Sequence, residues 1–230
     1  MKNLVIVAID GPSGVGKSTA ARRLAQRLDL PFMDTGAMYR AVALRVLEAG
    51  ASPHEENAVV GIAGETDVRL GRRDDGSFEV LLDGEPVEGR IRTPEVGEAT
   101  SVISAYPEVR RRMVRLQREA AGQFGAVLEG RDIGTRVFPD TPYKFFLDSR
   151  PEVRFQRRFQ ELTAAGRSVT YEQVVEEITR RDQRDSTRAD SPLTCDDTYT
   201  LIDSSDLTID QVVEEMARKI GAGAGQVRVS

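Results

Sequence analysis

The stretch Gly11-Pro12-Ser13-Gly14-Val15-Gly16-Lys17-Ser18 constrains this chain more than any other, because it fits G-x-x-x-x-G-K-[ST] completely. Upstream, Leu4 to Ile9 is apolar, rich in β-branched residues and ended by Asp10-Gly11. That is the pattern of a parallel strand buried on both faces. Downstream, Leu24 and Leu28 are four apart with Arg22, Arg23 and Arg27 on the other side, which predicts a helix from about Lys17 to Leu28. In this strand–turn–helix setting, consecutive backbone N–H groups turn inward around an anion and the helix N-terminus adds positive potential. The cradle from Gly11 to Thr19 is therefore the expected ATP site. Lys17 is expected to reach the β- and γ-phosphates, and the Ser18 hydroxyl to ligate Mg²⁺. Asp10 and Asp132 are further candidates for holding the metal or its waters.

The cradle does not name an acceptor. GTPases of this class carry N-K-x-D, and motion-coupled ATPases carry an apolar strand ending in Asp-Glu; neither string occurs here. His54 is the only histidine and lies in a polar stretch expected at the surface, which argues against triads and histidine-dependent zinc sites. Cys195 is the only cysteine, so no intrachain disulfide can form, as suits a reducing cytoplasm. A formal net charge of −5 gives no global attraction for nucleic acid polymers, so any basic site must be local. No run approaches the roughly 18 apolar residues that cross a membrane, and Leu4 to Ile9 lacks the features of a signal peptide.

Further strands are expected near Pro31–Asp34, Ala126–Leu128, Lys144–Leu147 and Leu201–Ile202. Helices are expected at about Ala37–Glu48, from Pro94, from Pro107 to Gly122, from Pro151 to Ala165 and from Tyr171 to Arg184. Ser52-Pro53-His54-Glu55 reads as a capping box opening a short helix to about Ile62, and Thr208-Ile209-Asp210-Gln211 as another, opening a helix that ends near Ile220. Between Val68 and Ile91 the period changes to two, with turn signals at Asp75-Gly76 and Asp83-Gly84, which predicts an antiparallel insert of two or three strands. Strands alternating with helices give a mostly parallel sheet covered on both sides.

An anionic acceptor needs its charge neutralised, which arginine does well because its fork binds phosphate at two points. Arg40 lies just inside a helix in Asp34-Thr35-Gly36-Ala37-Met38-Tyr39-Arg40, and Arg131 lies between glycines in Gly130-Arg131-Asp132-Ile133-Gly134-Thr135, at a strand's carboxyl end. Ligands bind at that edge in such sheets. Arg181 and Asp185, four apart on one helix, could bind a ligand or simply pair with each other.

These strings, with Ser101 to Arg110 and Arg180-Arg181-Asp182-Gln183-Arg184-Asp185-Ser186-Thr187-Arg188, resemble bacterial cytidylate kinase in order and spacing from about Leu4 to Met216. Thr35 stands where some relatives have serine, and the hydroxyl survives. The resemblance implies a P-loop NTPase three-layer α/β fold with a small antiparallel insert in the lobe that binds the monophosphate, and a short helical lid. It implies a core of residues 1–34, 106–150 and 169–220, an acceptor lobe of 35–105 with the insert at about 66–92, a lid of 151–168 and a loose tail of 221–230. It further implies transfer of a phosphoryl group from ATP, with Mg²⁺, to CMP or dCMP. Ser101, Arg110 and Asp132 would read the base, Arg40 and Arg131 would hold the acceptor phosphate, and Arg181 and Asp185 the sugar. Arg188 would add charge near the phosphates, and Thr35 and Tyr39 would line the acceptor site. Among Arg154, Arg157 and Arg158 of the lid, Arg157 is the candidate for touching ATP. Lys17, Arg131, Asp132 and Arg188 are the expected catalytic set, in a cytoplasmic monomer that binds neither membrane nor nucleic acid polymer. Guanylate kinase and a non-catalytic nucleotide sensor are the rival readings.

Overall fold

A computed structural model describes residues 4–73 and 78–226. The first apolar run forms β1 (Ile6–Asp10), and the motif leads into α1 (Lys17–Leu28). Leu4 and Val5 fall outside the strand and are exposed. Next come β2 (Phe32–Asp34) and α2 (Thr35–Glu48); α2 starts two residues before the expected Ala37, because the Asp34 side chain accepts the Ala37 N–H as its N-cap.

The chain continues through α3 (Glu56–Glu65), β3 (Val68–Arg72), β4 (Phe78–Leu82), β5 (Glu85–Pro86), α4 (Pro94–Ile103) and α5 (Pro107–Phe124). It closes with β6 (Ala126–Glu129), a single π-helical turn (Ile133–Val137), β7 (Tyr143–Asp148), α6 (Pro151–Ala164), α7 (Tyr171–Thr187), β8 (Thr200–Asp203) and α8 (Ile209–Gln226).

Five strands form a parallel sheet in the order β2-β6-β1-β7-β8. Alternation along β1 divides the core. Val7 and Ile9 pack with α1 and α8 on one face, while Ala8 packs with Met33, Leu128 and Ala121 of α5 on the other. Helices on both faces of a parallel sheet make the P-loop NTPase three-layer α/β architecture. A separate three-stranded antiparallel sheet, β3-β4-β5, packs with α2, α3, α4 and α5 around Met38, Val80, Leu82 and Ile103. Its β4–β5 turn holds Asp83 at φ 51° and Gly84 at φ 88°, the geometry asked of Asp-Gly hairpins. The other expected turn, Asp75-Gly76, lies outside the described residues. No helix among the described residues is long and apolar enough to cross a membrane.

Other helix boundaries also differ from expectation, most at α3 and α8. Ser52 to Glu55 is a turn, closed by the Glu55 N–H to the Ser52 carbonyl at 3.1 Å, and α3 begins only at Glu56. Tyr106 holds the turn by donating its hydroxyl to the Pro53 carbonyl at 2.9 Å. Helix α8 runs past Gly221 to Gln226, so the expected loose tail is helical over that stretch; glycine costs only about 1 kcal/mol relative to alanine in a helix and does not stop one by itself.

Asp10 is fully buried at the end of β1. It accepts the N–H groups of Ile133 and Gly134 at 2.9 Å each and the Tyr199 hydroxyl at 2.7 Å. Both carboxylate oxygens serve the π-helical turn behind the cradle, so Asp10 is a structural clamp and not the metal candidate the sequence suggested. Burial pushes its carboxyl up to about 6 against the pull of those donors. Asp10→Asn turns one acceptor into a donor facing donors. It is expected to destabilise the fold by about 1–3 kcal/mol in urea titrations.

Candidate active site

Backbone geometry makes the cradle. Gly11 has φ 147°, and a Cβ there would meet the Leu147 carbonyl oxygen at 2.1 Å. Gly14 has φ 76° and would meet the Arg154 carbonyl oxygen at 2.9 Å. Only glycine lets the loop pass both obstacles. Val15 turns into the core, and with Gly11 and Pro12 it shapes the loop from behind. Ser13, Gly14, Gly16, Lys17, Ser18 and Thr19 face a cleft of about 600 Å³.

Lys17 is buried and donates from Nζ to the Pro12 carbonyl at 2.7 Å. Burial and then the nearby Arg131 guanidinium pull its ammonium down to about 7, with Glu129 opposing. The Ser18 hydroxyl is hydrogen-bonded to the Glu129 carboxylate. Burial, and then Asp34, hold that carboxyl above its usual range. Glu129 gave no signal in the sequence beyond being the last residue of its strand. A hydroxyl and one carboxylate suit Mg²⁺, which keeps waters and takes substrate oxygens instead of an all-protein cage.

The loop after β6 faces the cradle because β6 and β1 are neighbours in register, Ile9 opposite Glu129. Arg131 donates from Nη2 to the Ser13 hydroxyl at 3.0 Å and from Nε to Asp185 at 2.8 Å. This answers the question about Arg181: Asp185 pairs with Arg131, and Arg181 forms no ion pair among the described residues. Asp132 pairs with Arg110, whose guanidinium lies 5.7 Å from the centre of the Tyr39 ring. Arg188 reaches Asp132 and Asp185 at 3.7 Å each. Thr35 spends its hydroxyl on the Glu129 carbonyl at 2.7 Å, and Arg40 donates to the Ile91 carbonyl at 3.1 Å.

Thr35, Tyr39, Arg40, Ser101, Arg110, Arg131, Asp132, Arg181, Asp185 and Arg188 all line the same cleft as Lys17. Its positive charge is crowded. Burial, then Arg181 and Arg92, bring Arg40 down to about 10. Arg181 is lowered by burial and then Arg131, and Arg188 by burial and then Arg110. Arg110 Nε and Arg188 Nη2 are buried without a hydrogen-bond partner. Such a surplus of cations with open donors fits an anion.

Arg157 and Arg158 of α6 also line the cleft. Arg157 gives its terminal nitrogens to the Ser204 hydroxyl at 3.1 Å and carbonyl at 2.7 Å, and Arg158 pairs with Glu161. Arg154 is buried, bonded to the Ser13 carbonyl at 3.0 Å and to Asp182. Asp182 in turn accepts the Ser13 N–H at 2.9 Å. This knot of cradle, α6 and α7 has no local sequence signature. His54 and Cys195 are both exposed, away from the cleft.

Comparison with known proteins gives a consistent result. A family model described as cytidylate kinase matches residues 7–222. A cytidylate kinase from Corynebacterium glutamicum is 48% identical over 221 residues, covering 96% of each chain. One from Caldanaerobacter subterraneus is 47% identical with the same coverage. A crystal structure of an uncharacterized protein from Eubacterium ventriosum aligns with a TM-score of 0.50 at 14% identity, over 96% of this chain and 99% of that one. That last likeness speaks to the fold alone.

Proposed function

The chain belongs to the cytidylate kinase family, and on that premise we propose that its cleft moves the terminal phosphoryl group of ATP onto CMP or dCMP. The observation that carries the proposal is one cleft with two anion sites: the amide cradle around Lys17, and the arginine wall of Arg40, Arg131, Arg181 and Arg188. A sensor of one nucleotide has no use for the second site.

ATP lies along the cradle, with Lys17 leaving the Pro12 carbonyl for the β- and γ-phosphates. Arg131 is held between Ser13 of the cradle and Asp185 of α7, so its guanidinium can address the transferring group and the acceptor phosphate together. Arg40 and Arg188 complete the acceptor charge, and Arg181 with Asp185 takes the sugar. Asp132 accepts the cytosine amino hydrogen, while Arg110 donates to the O2 carbonyl oxygen. Uracil has a carbonyl at that amino position and would face Asp132 unpaired, at a cost of about 1–3 kcal/mol.

The acceptor oxygen is already anionic near neutral pH, so no strong base is required. Catalysis is alignment plus stabilisation of charge in a loose transition state. Ser18, with Glu129 beside it, would hold Mg²⁺, which neutralises charge on the β- and γ-phosphates when bound. Arg157 and Arg158 lie where a closing lid would meet the donor, and closure would exclude water. The chain is expected to act as a monomer in the cytoplasm, on free nucleotides.

A coupled ADP-release assay with CMP, dCMP, UMP, GMP and AMP tests the reading. Turnover highest with CMP and dCMP is expected. A preference for GMP, or ATP binding without product from any monophosphate, would overturn it.

A further inference from the structure

The polarity of one hydroxyl in the cleft is set from outside it. Ser101, on α4, is buried and lines the acceptor side. Its Oγ accepts an N–H from Arg184 Nη1 at 3.3 Å, and the same nitrogen donates to Glu98 Oε1 at 2.8 Å. Glu98, on α4, also takes Arg180 at 3.0 Å, so Arg184 of α7 is held against α4. Arginine has donors only, and the lone pair that faces Arg184 is therefore spent.

The proton of Ser101 is free. Helical hydroxyls commonly donate to a carbonyl one turn back, as Thr100 does to the Val96 carbonyl at 2.6 Å. Ser101 makes no such bond among the described residues. A charged donor on the oxygen also polarises the O–H and strengthens it as a donor. What Ser101 offers to a ligand is thus chiefly a proton.

We propose that Arg184, which does not line the cleft, is a positioning residue: it makes Ser101 a donor toward N3 of the pyrimidine and so favours cytosine over uracil. Cytosine N3 is an acceptor, whereas uracil carries a hydrogen there and would meet the Ser101 proton donor to donor. This rests on the cytidylate reading above, and adds a second point of discrimination separate from Asp132.

The test is a set of kcat and KM values for CMP and UMP with the unaltered protein, Arg184→Met, Arg184→Lys, Ser101→Ala and the Ser101→Ala/Arg184→Met double variant. Arg184→Met is expected to lower the CMP-to-UMP ratio of kcat/KM about five- to tenfold, the worth of one neutral hydrogen bond. The loss should appear mainly in KM for CMP. Arg184→Lys keeps a donor and should restore most of the ratio. In the Ser101→Ala background, Arg184→Met should change the ratio no further. Glu98→Gln loosens the tie between α4 and α7 but leaves the donor, and should keep the ratio. The proposal is overturned if Arg184→Met leaves the ratio unchanged, or lowers it equally without the Ser101 hydroxyl. Equal use of CMP and UMP by the unaltered protein overturns this proposal and the role given to Asp132 against uracil, but leaves phosphoryl transfer to CMP standing, whereas failure to phosphorylate CMP overturns the parent reading as well.

Discussion

Arg131→Ala is expected to lower turnover with CMP about 10³-fold, in line with losses seen when a charge-stabilising donor or arginine is removed from a phosphoryl-transfer site. The reason is position as well as charge. Arg131 is fixed at both ends, by Ser13 of the cradle and by Asp185, so its fork is aligned before any ligand arrives. The variant should still fold, because Arg188 stays near Asp185 at 3.7 Å and limits the cost of leaving that carboxylate short of a partner to about 1–3 kcal/mol. Burial acts to raise the Asp185 carboxyl, but Arg131, Arg181 and Arg188 together hold it below the usual range. Arg131→Lys should recover little, since an ammonium cannot make both bonds in one plane. Steady-state kinetics with a circular-dichroism melt checks all three statements. Turnover within tenfold of the unaltered protein would place the acceptor phosphate elsewhere.

Lys17→Ala is expected to reduce kcat/KM for ATP about 10³-fold, again the scale of one preorganised donor at the transferring group. Its effect on the nucleotide-free fold should have the opposite sign. Burial pulls the Lys17 ammonium from its ordinary 10.5 down to about 7, so the folded state disfavours the charged form. Between those two values the unfolded chain holds the proton and the folded chain does not, and stability rises with pH across that window. Lys17→Ala lacks this contribution. Near neutral pH it should be at least as stable as the unaltered protein without nucleotide, and its urea midpoint should climb less toward alkaline pH. A variant clearly less stable at neutral pH would mean that the Pro12 contact outweighs the cost of the buried charge.

Much of the architecture was legible because its signals are local. The cradle, the strands and the proline-led starts of α4, α5 and α6 each depend on neighbours in sequence. The parts that escaped depend on partners far along the chain. Ser52 to Glu55 carries capping chemistry but is held as a turn with help from Tyr106. Asp10 looks like a metal ligand until the amides of the π-helical turn are set against it. The site behaves the same way. Arg131, Asp132 and Arg188 stand in recognisable strings, but the pairing of Arg131 with Asp185, the contact of Glu129 with Ser18 and the knot of Asp182 with Ser13 are all long-range. Residue types told which chemistry was on offer, and only the folded chain told which partner each group had taken.

The register of β1 against β6 sets a fixed gauge for the reaction. The donor loop and the Arg131 loop spring from adjacent strands, Ile9 opposite Glu129, which lie about 4.8 Å apart as hydrogen-bonded neighbours do. Asp10 then bolts the second loop to the end of the first strand. The gap across which phosphorus must pass is thus machined into the sheet, and the surrounding lobes can be lengthened or reshaped without resetting it.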